Sequence, residues 1–195
     1  MTASLDLDPR HTALLVMDYQ HGILGSLTDS AALLRTTADT VQRIRDWGGT
    51  IGHVRVAFTD ADFDAIPATS QFAAMVTPQR RQAMHADSAT TAIHDAVAPR
   101  EGDIVVRKTR VGAFSTTDLA QRLREAGVTT LILAGIATGG VVLSTVREAA
   151  DRDYRLVVLA DACADPAPEV HDVLVGAIFP RQAHVTTTDE LAALL

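Results

Sequence analysis

Apolar runs alternate with helix-periodic segments along this chain, and that alternation constrains its fold more than any other feature. The run Thr12-Ala-Leu-Leu-Val-Met17 has the continuous apolar character of a strand buried on both faces. After it, Ala38, Val41 and Ile44 recur three residues apart, as on the buried side of a helix. Repeated strand–helix units favour a mostly parallel sheet with helices on both faces and right-handed crossovers.

The pattern predicts six strands: residues 12–17, 51–57, 103–107, 130–134, 154–160 and a short edge strand at 183–186. Helices fill the intervals, and one of them is predicted from about 139 to 153. The segment 59–99 is rich in proline and small polar residues, so we expect loops with one or two short helices there. We therefore predict one α/β domain over residues 1–195, a three-layer, doubly wound, mostly parallel six-stranded sheet.

Composition excludes several functional classes. The net charge of −7 and the lack of a long basic block argue against nucleic-acid binding. No apolar stretch approaches the roughly 20 residues that span a bilayer. Residues 1–8 lack the charge and apolar run of a signal peptide. The single cysteine, Cys163, permits no intramolecular disulfide. We expect a cytoplasmic protein without a membrane or nucleic-acid partner.

Doubly wound sheets bind ligands at the carboxyl ends of their strands, where the strand order reverses. The predicted first strand ends at Asp18 and the third at Lys108. The fourth ends at the turn 135–140, and the fifth at Asp161. An aspartate beside a lysine can protonate a substrate or activate a water molecule, so Asp18 and Lys108 are the candidate catalytic pair.

Residues 131–150 have the pattern of a buried strand, a glycine-rich turn and a helix. Val141 falls in the first turn of that helix, where the helix dipole would activate a thiol. Thr138 is expected to cap the helix, and Gly139 and Gly140 permit a tight turn. The backbone N–H groups of Ala137 and Val141 are candidates for binding an oxyanion. Cys163 has no neighbouring histidine, which argues against a catalytic role.

Three segments together resemble the isochorismatase-like hydrolase superfamily. They are Leu15-Val-Met-Asp-Tyr-Gln20, Arg107-Lys-Thr-Arg-Val-Gly-Ala-Phe-Ser-Thr-Thr-Asp-Leu119 and Gly135-Ile-Ala-Thr-Gly-Gly-Val-Val142. The resemblance extends from Thr12 to about Val185.

In cysteine hydrolases of that superfamily an Asp, a Lys and a Cys form the catalytic set. The first two correspond to Asp18 and Lys108, while the cysteine position falls on Val141. Isochorismatases proper also lack the cysteine and cleave a vinyl ether by acid catalysis at the aspartate. Their Tyr-Ala-His type turn, however, differs from residues 136–139 here.

The resemblance implies further features. Gln20 and Phe114 are expected to contact substrate, and the Ile136–Ala137 peptide bond is expected to be cis. Residues 136–140 would form the oxyanion turn. A homo-oligomer, a dimer or a tetramer, is also implied. The Asp and two His residues that bind metal in nicotinamidases have no counterpart pattern here, so no metal and no cofactor are predicted.

Three hypotheses follow for function. The first is a cysteine-independent hydrolase that uses Asp18 and Lys108 on a small vinyl ether, amide or ester. The second is a catalytically silent small-molecule-binding or scaffold member of the same fold. The third is a nucleotide- or flavin-binding module, which the lack of phosphate-binding fingerprints disfavours. If the helix end activates thiols, Val141→Cys is expected to create a reactive thiolate.

Overall fold

A six-stranded, all-parallel sheet forms the centre of the molecule. The computed structural model describes residues 6–195, apart from the side chain of Met75. The strands are β1 (Thr12–Met17), β2 (Thr50–Val56), β3 (Ile104–Lys108), β4 (Thr130–Ile136), β5 (Arg155–Ala164) and β6 (His184–Thr186). Their order is β3-β2-β1-β4-β5-β6. The order reverses between β1 and β4, so the switch point lies at the carboxyl ends of these two strands.

Helices cover both faces of the sheet. They are α1 (His21–Leu24), α2 (Ala31–Trp47), α3 (Asp60–Asp64), α4 (Gln71–Met75), α5 (Pro78–Ala83), α6 (Leu119–Glu125), α7 (Leu143–Ala150), α8 (Pro168–Val173) and α9 (Thr188–Ala192). Segments 138–142 and 174–178 are single π-helical turns that precede α7 and follow α8.

The core is divided by the sheet into two apolar clusters, because successive strand residues point to opposite faces. Leu15 and Leu133 pack with Leu123 of α6 and Val146 of α7 on one face. On the other face, Val16 and Ile132 contribute to the cluster that contains Ile44 of α2 and Leu191 of α9. Strands β1 and β4 are buried along their whole length, as the apolar runs predicted.

The predicted strands are confirmed with shifts of one or two residues at their ends, except that β5 continues four residues past its predicted end. Two helical predictions are wrong in detail. The segment 59–99 contains three short α-helices rather than one or two. The predicted continuous helix from about 139 to 153 is divided into the π-helical turn 138–142 and α7. The expectation about a signal peptide concerns, in part, residues 1–5, which lie outside the described residues. Within residues 6–195, no helix has the length and hydropathy needed to cross a membrane.

Candidate active site

Asp18 lies at the switch point, one residue beyond β1. Its backbone adopts a left-handed conformation with φ 61°, which aspartate tolerates better than most residues do. The backbone N–H of Asp18 donates to Val54 O at 2.8 Å, and Asp18 O accepts from the N–H of Gln20 at 2.8 Å. These bonds fix the chain as it leaves the sheet. The carboxylate is therefore held by backbone geometry set by the strand end.

Lys108 reaches Asp18 from β3, across the end of β2. The two strands are two spacings apart, about 10 Å, and the extended side chain covers that gap. Its Nζ lies 2.8 Å from Asp18 Oδ2. It also donates to Val111 O at 2.9 Å and Arg110 O at 3.2 Å. Since an ammonium has three N–H donors, these three acceptors account for all of them.

Burial controls the protonation of Asp18. Only 4% of Asp18 and 2% of Lys108 is exposed. Removal from water raises the pKa of Asp18 to about 6, and this effect exceeds the opposing attraction of the Lys108 ammonium. The N–H of Val56 lowers the pKa to a smaller extent, although it donates its hydrogen bond to Gln20 Oε1 at 2.8 Å.

The second carboxylate oxygen of Asp18 has a different environment. Oδ1 is buried and accepts no hydrogen bond from the described residues 6–195. An unsatisfied buried carboxylate oxygen is costly when ionised. A proton on this oxygen removes much of that cost, so the geometry favours Oδ1 as the atom that carries and releases a proton.

Gln20 does not offer its amide to a ligand. The Nε2 group donates to Val56 O at 2.8 Å and Thr91 O at 2.7 Å, while Oε1 accepts from the N–H of Val56. The residue is only 1% exposed. These bonds fasten the end of β2 to the segment around Thr91. The contacts give Gln20 a structural part beside Asp18 and lend no support to the predicted contact with substrate.

The turn after β4 lies beside Asp18 at the switch point. The Ile136–Ala137 peptide bond is cis, as expected. Gly135 allows the following turn to pack tightly, because a Cβ there would lie 2.9 Å from Val142 Cγ2 and 3.3 Å from Met17 Cβ. The N–H groups of Gly140 and Val142 both donate to Ala137 O, at 3.0 and 3.3 Å. Val141 is 2% exposed and packs in the core cluster that contains Met17.

Two residues near α8 that sequence reasoning missed hold this turn. Asp165 Oδ2 accepts from the N–H of Gly139 at 2.7 Å, and Oδ1 accepts from the N–H of Ala167 at 3.1 Å. His171 Nδ1 lies 2.9 Å from Thr138 Oγ1. Thr138 is therefore not the helix cap that the sequence predicted: Ala137 is at that position, and Asp165 supplies the carboxylate. The Asp165-Pro166 dipeptide was a turn signal that could have indicated this segment.

Asp161, the predicted end of the fifth strand, lies elsewhere. Strand β5 continues to Ala164, and Asp161 accepts from the N–H and hydroxyl of Thr188 at 2.9 and 2.6 Å. It thus holds the start of α9. Asp165, four residues later in the chain, is the carboxylate that contacts the turn.

Phe114 packs away from the Asp18–Lys108 pair. Its ring is buried and stacks on Tyr154 with centroids 6.2 Å apart, and Arg152 lies over it at 5.1 Å. Tyr154 immediately precedes β5, so it marks the amino edge of the sheet, opposite the edge that carries Asp18. These contacts make Phe114 a packing residue and do not support its predicted place in the pocket.

Cys163 lies in the core, within β5. It is 5% exposed, and burial raises the pKa of its thiol to about 12. Its Sγ lies 3.8 Å from Leu133 O. A thiol of this kind is protonated at neutral pH and is not a nucleophile. Among residues 6–195, no group of three or more His, Cys, Asp or Glu side chains is arranged to hold a metal ion.

Comparison with known families agrees with this architecture. The isochorismatase domain family model matches residues 12–190. The chain is 34% identical over 190 residues to the uncharacterized isochorismatase family protein YwoC of Bacillus subtilis, covering 97% of each. It is 35% identical over 197 residues to the phenazine biosynthesis protein PhzD of Pseudomonas fluorescens, covering 97% of this chain and 88% of that protein.

Solved structures show the same arrangement. An isochorismatase family protein from Burkholderia thailandensis superposes with a TM-score of 0.83 at 29% identity, covering 97% of both chains. The two chains thus share one fold over nearly their whole length.

Proposed function

This chain belongs to the isochorismatase family and is a hydrolase of that family, and from that premise we propose a reaction carried by Asp18 and Lys108 without a cysteine nucleophile. The observation that carries the proposal is the buried pair itself. Lys108 Nζ lies 2.8 Å from Asp18 Oδ2, while Oδ1 accepts no hydrogen bond from the residues described. The substrate is a small metabolite, a vinyl ether, amide or ester.

Acid catalysis fits this geometry best. With its pKa raised to about 6, Asp18 carries a proton far more often near neutral pH than an ordinary aspartate does. Val141 offers no nucleophilic atom, and Cys163 is buried and protonated. A reaction that begins with proton transfer from a carboxylic acid needs neither a thiol nor a metal.

Vinyl ether cleavage is such a reaction. Asp18 gives its proton to the terminal vinyl carbon, and the ether oxygen supplies electrons to form an oxocarbenium ion. Water adds to the cationic carbon and loses a proton, which restores the acid. The resulting hemiketal breaks its carbon–oxygen bond to the leaving group, giving a ketone and an alcohol. Lys108 positions the Asp18 carboxylate and balances its charge after proton transfer.

Asp18→Asn tests the assignment. Asparagine tolerates the left-handed backbone at this position, so the fold is expected to persist while the acid is lost. Turnover is expected to fall by about 10²- to 10⁴-fold, measured against a panel of vinyl ethers, cyclic amides and short amides. Cys163→Ala is the control, and it is expected to keep wild-type turnover. Full activity in Asp18→Asn would refute the assignment.

The pH profile separates acid from base catalysis. If Asp18 must be protonated, kcat falls as pH rises through about 6, the pKa of this carboxyl. If Asp18 instead activates water for attack on an amide, kcat rises through the same region. Steady-state rates of the best substrate between pH 4.5 and 8, on the order of one point per half unit, distinguish the two directions.

A catalytically silent small-molecule binder is the second candidate, because the Asp18–Lys108 pair is almost completely buried. Asp18, Lys108 and Val141 are 4%, 2% and 2% exposed. A silent protein would bind members of the same panel, detected by a shift in thermal unfolding, and would turn over none of them. Turnover that depends on Asp18 eliminates this alternative.

A further inference from the structure

A buried histidine on β2 takes no part in the proposed reaction. His53 is only 1% exposed and lies between Val16 of β1 and Val105 of β3 in the register of the sheet. It points to the face that α2 covers, because Ile51, two residues earlier in the strand, belongs to the same cluster as Ile44. A titratable side chain in such a place needs a polar partner.

The partner of His53 is Asp103, in the turn immediately before β3. His53 Nε2 lies 3.2 Å from Asp103 Oδ2. The same oxygen accepts from Arg45 Nη2 of α2 at 2.7 Å and from the backbone N–H of Arg100 at 2.8 Å. Asp103 and Arg45 are the charged groups that act on the ring. These three side chains, the His53 cluster (His53, Asp103 and Arg45), join the edge strand β3 to β2 and α2.

The His53 cluster is balanced only while the imidazole is neutral. The Asp103 carboxylate only accepts hydrogen bonds, so Nε2 of the neutral ring carries the proton and Nδ1 keeps a lone pair. Nδ1 is buried and has no hydrogen-bond partner among the described residues 6–195. Protonation would place a charged N–H there, although Arg45 already neutralises Asp103. Burial therefore lowers the pKa of His53 against the attraction of Asp103, and Arg45 acts in the same direction as burial.

We propose that His53 makes β3 an acid-sensitive element: protonation of its ring breaks the His53 cluster and releases the edge strand from β2 and α2. An edge strand is the part of a sheet that opens most readily, because it is paired on one side only. Since β3 ends at Lys108, its release also withdraws the ammonium from Asp18. The inference goes beyond the proposed reaction and does not depend on it, because the ion pair exists whether or not it is catalytic.

Acid weakens the attachment of β3 for a reason that fixes the pH range. Once β3 is released, the ring of His53 meets water and binds a proton near the usual histidine pKa of 6.5, whereas the closed cluster resists that proton. The cluster therefore stabilises β3 fully above about pH 6.5, and this stabilisation is lost as the pH falls below that value.

Hydrogen exchange of the β3 amides measures this release without a substrate. Wild type, His53→Gln and His184→Gln are compared at about pH 7, 6 and 5, with each rate corrected for the intrinsic exchange rate at that pH. Glutamine keeps an N–H donor for Asp103 and cannot take up a proton. His184→Gln is the matched control, because His184 is exposed on β6, the opposite edge strand.

The ratio of β3 protection in His53→Gln to that in wild type is expected to rise about tenfold from pH 7 to pH 5. Contributions from other titrating groups, Asp18 among them, cancel in this ratio. The ratio for His184→Gln is expected to stay constant. At pH 5, wild-type β3 should also exchange faster than β4 and respond less to urea, since release of one strand exposes little surface.

Arg45→Gln provides a second test that also serves if His53→Gln does not fold. Without the guanidinium, Asp103 can balance a protonated His53, so the acid-induced loss of β3 protection should shrink by about threefold or more relative to wild type. A purely structural part for His53 predicts no such change. Equal pH dependence in wild type and the variants that fold, or exchange of β3 at the rate and urea dependence of β4, would overturn the proposal.

Discussion

The two halves of the candidate site are built in different ways. At the strand ends, Lys108 Nζ pairs with Asp18 Oδ2 and donates to two carbonyl groups that follow β3 within three residues. The turn after β4 instead depends on Asp165 and His171, which follow it by about 30 residues and arrive with the segment around α8. The proposed reacting groups are thus fixed by strand ends, whereas the turn is held by side chains from a distant part of the chain.

Breaking the ion pair should have the largest effect. Lys108→Met leaves Asp18 buried without a cation, so we expect its pKa to rise above 6 and the descending limb of the activity profile to move to higher pH. The free energy of unfolding is expected to fall by about 3–5 kcal/mol at pH 8, as measured by urea denaturation.

The pH dependence of that loss follows from the direction of the shift. An acid whose folded-state pKa is raised holds a proton that the unfolded chain releases, so stability falls as pH rises from about 4 through about 6. Removing Lys108 raises the folded-state pKa of Asp18 further, so stability continues to fall at higher pH. The variant should therefore approach wild type at pH 5. Arg107→Met is the control, since its pair with Asp62 is partly exposed and is expected to contribute less than about 1 kcal/mol.

Substitution of Gln20 tests whether this residue supports the backbone beside Asp18 or contacts substrate. Gln20→Ala removes the side-chain acceptor of the Val56 N–H and the amide donor to Val56 O and Thr91 O, although Thr91 O keeps its bond from Arg55 Nη1 at 3.2 Å. We therefore expect the free energy of unfolding to fall by about 2–3 kcal/mol. Gln42→Ala removes an exposed bond to Asp46 and is expected to cost less than about 0.5 kcal/mol. A raised KM with unchanged stability would instead return Gln20 to contact with substrate.

Phe114 gives the smallest predicted effect. Phe114→Leu is expected to lower the free energy of unfolding by about 1–2 kcal/mol and to leave KM unchanged. A double-mutant cycle with Tyr154→Leu should give a coupling of about 0.5–1.5 kcal/mol. No coupling together with a raised KM would place the ring in the pocket, as the sequence predicted.

Much of the sheet could be predicted because buried parallel strands have a continuous apolar pattern. β1 begins and ends where its apolar run does. β5 was predicted too short, since the polar Asp161 resembled a strand end. In the structure, the register between β4 and β5 shifts between Leu133 and Gly135, and pairing resumes at Cys163. Asp161 lies in the part of β5 that does not pair with β4, and the strand continues beyond it to Ala164.

The candidate site was only partly predictable for a related reason. Asp18 and Lys108 were found because topology places strand ends at one edge of the sheet. Asp165 was missed because its contact with Gly139 is 26 residues away in the chain and has no periodic signature. The actual contacts of Gln20 and Phe114 were also missed, because a motif indicates which residues recur but not which way their side chains point.

The left-handed backbone at Asp18 also has a consequence for how the proposed activity can be lost. At φ 61° the position accepts asparagine or glycine with little conformational cost, whereas bulky and β-branched residues are strained. Aspartate and asparagine codons differ by a single base. A point substitution can therefore remove the proposed acid while the backbone conformation is kept, so inactive descendants of the proposed enzyme are easily accessible to mutation.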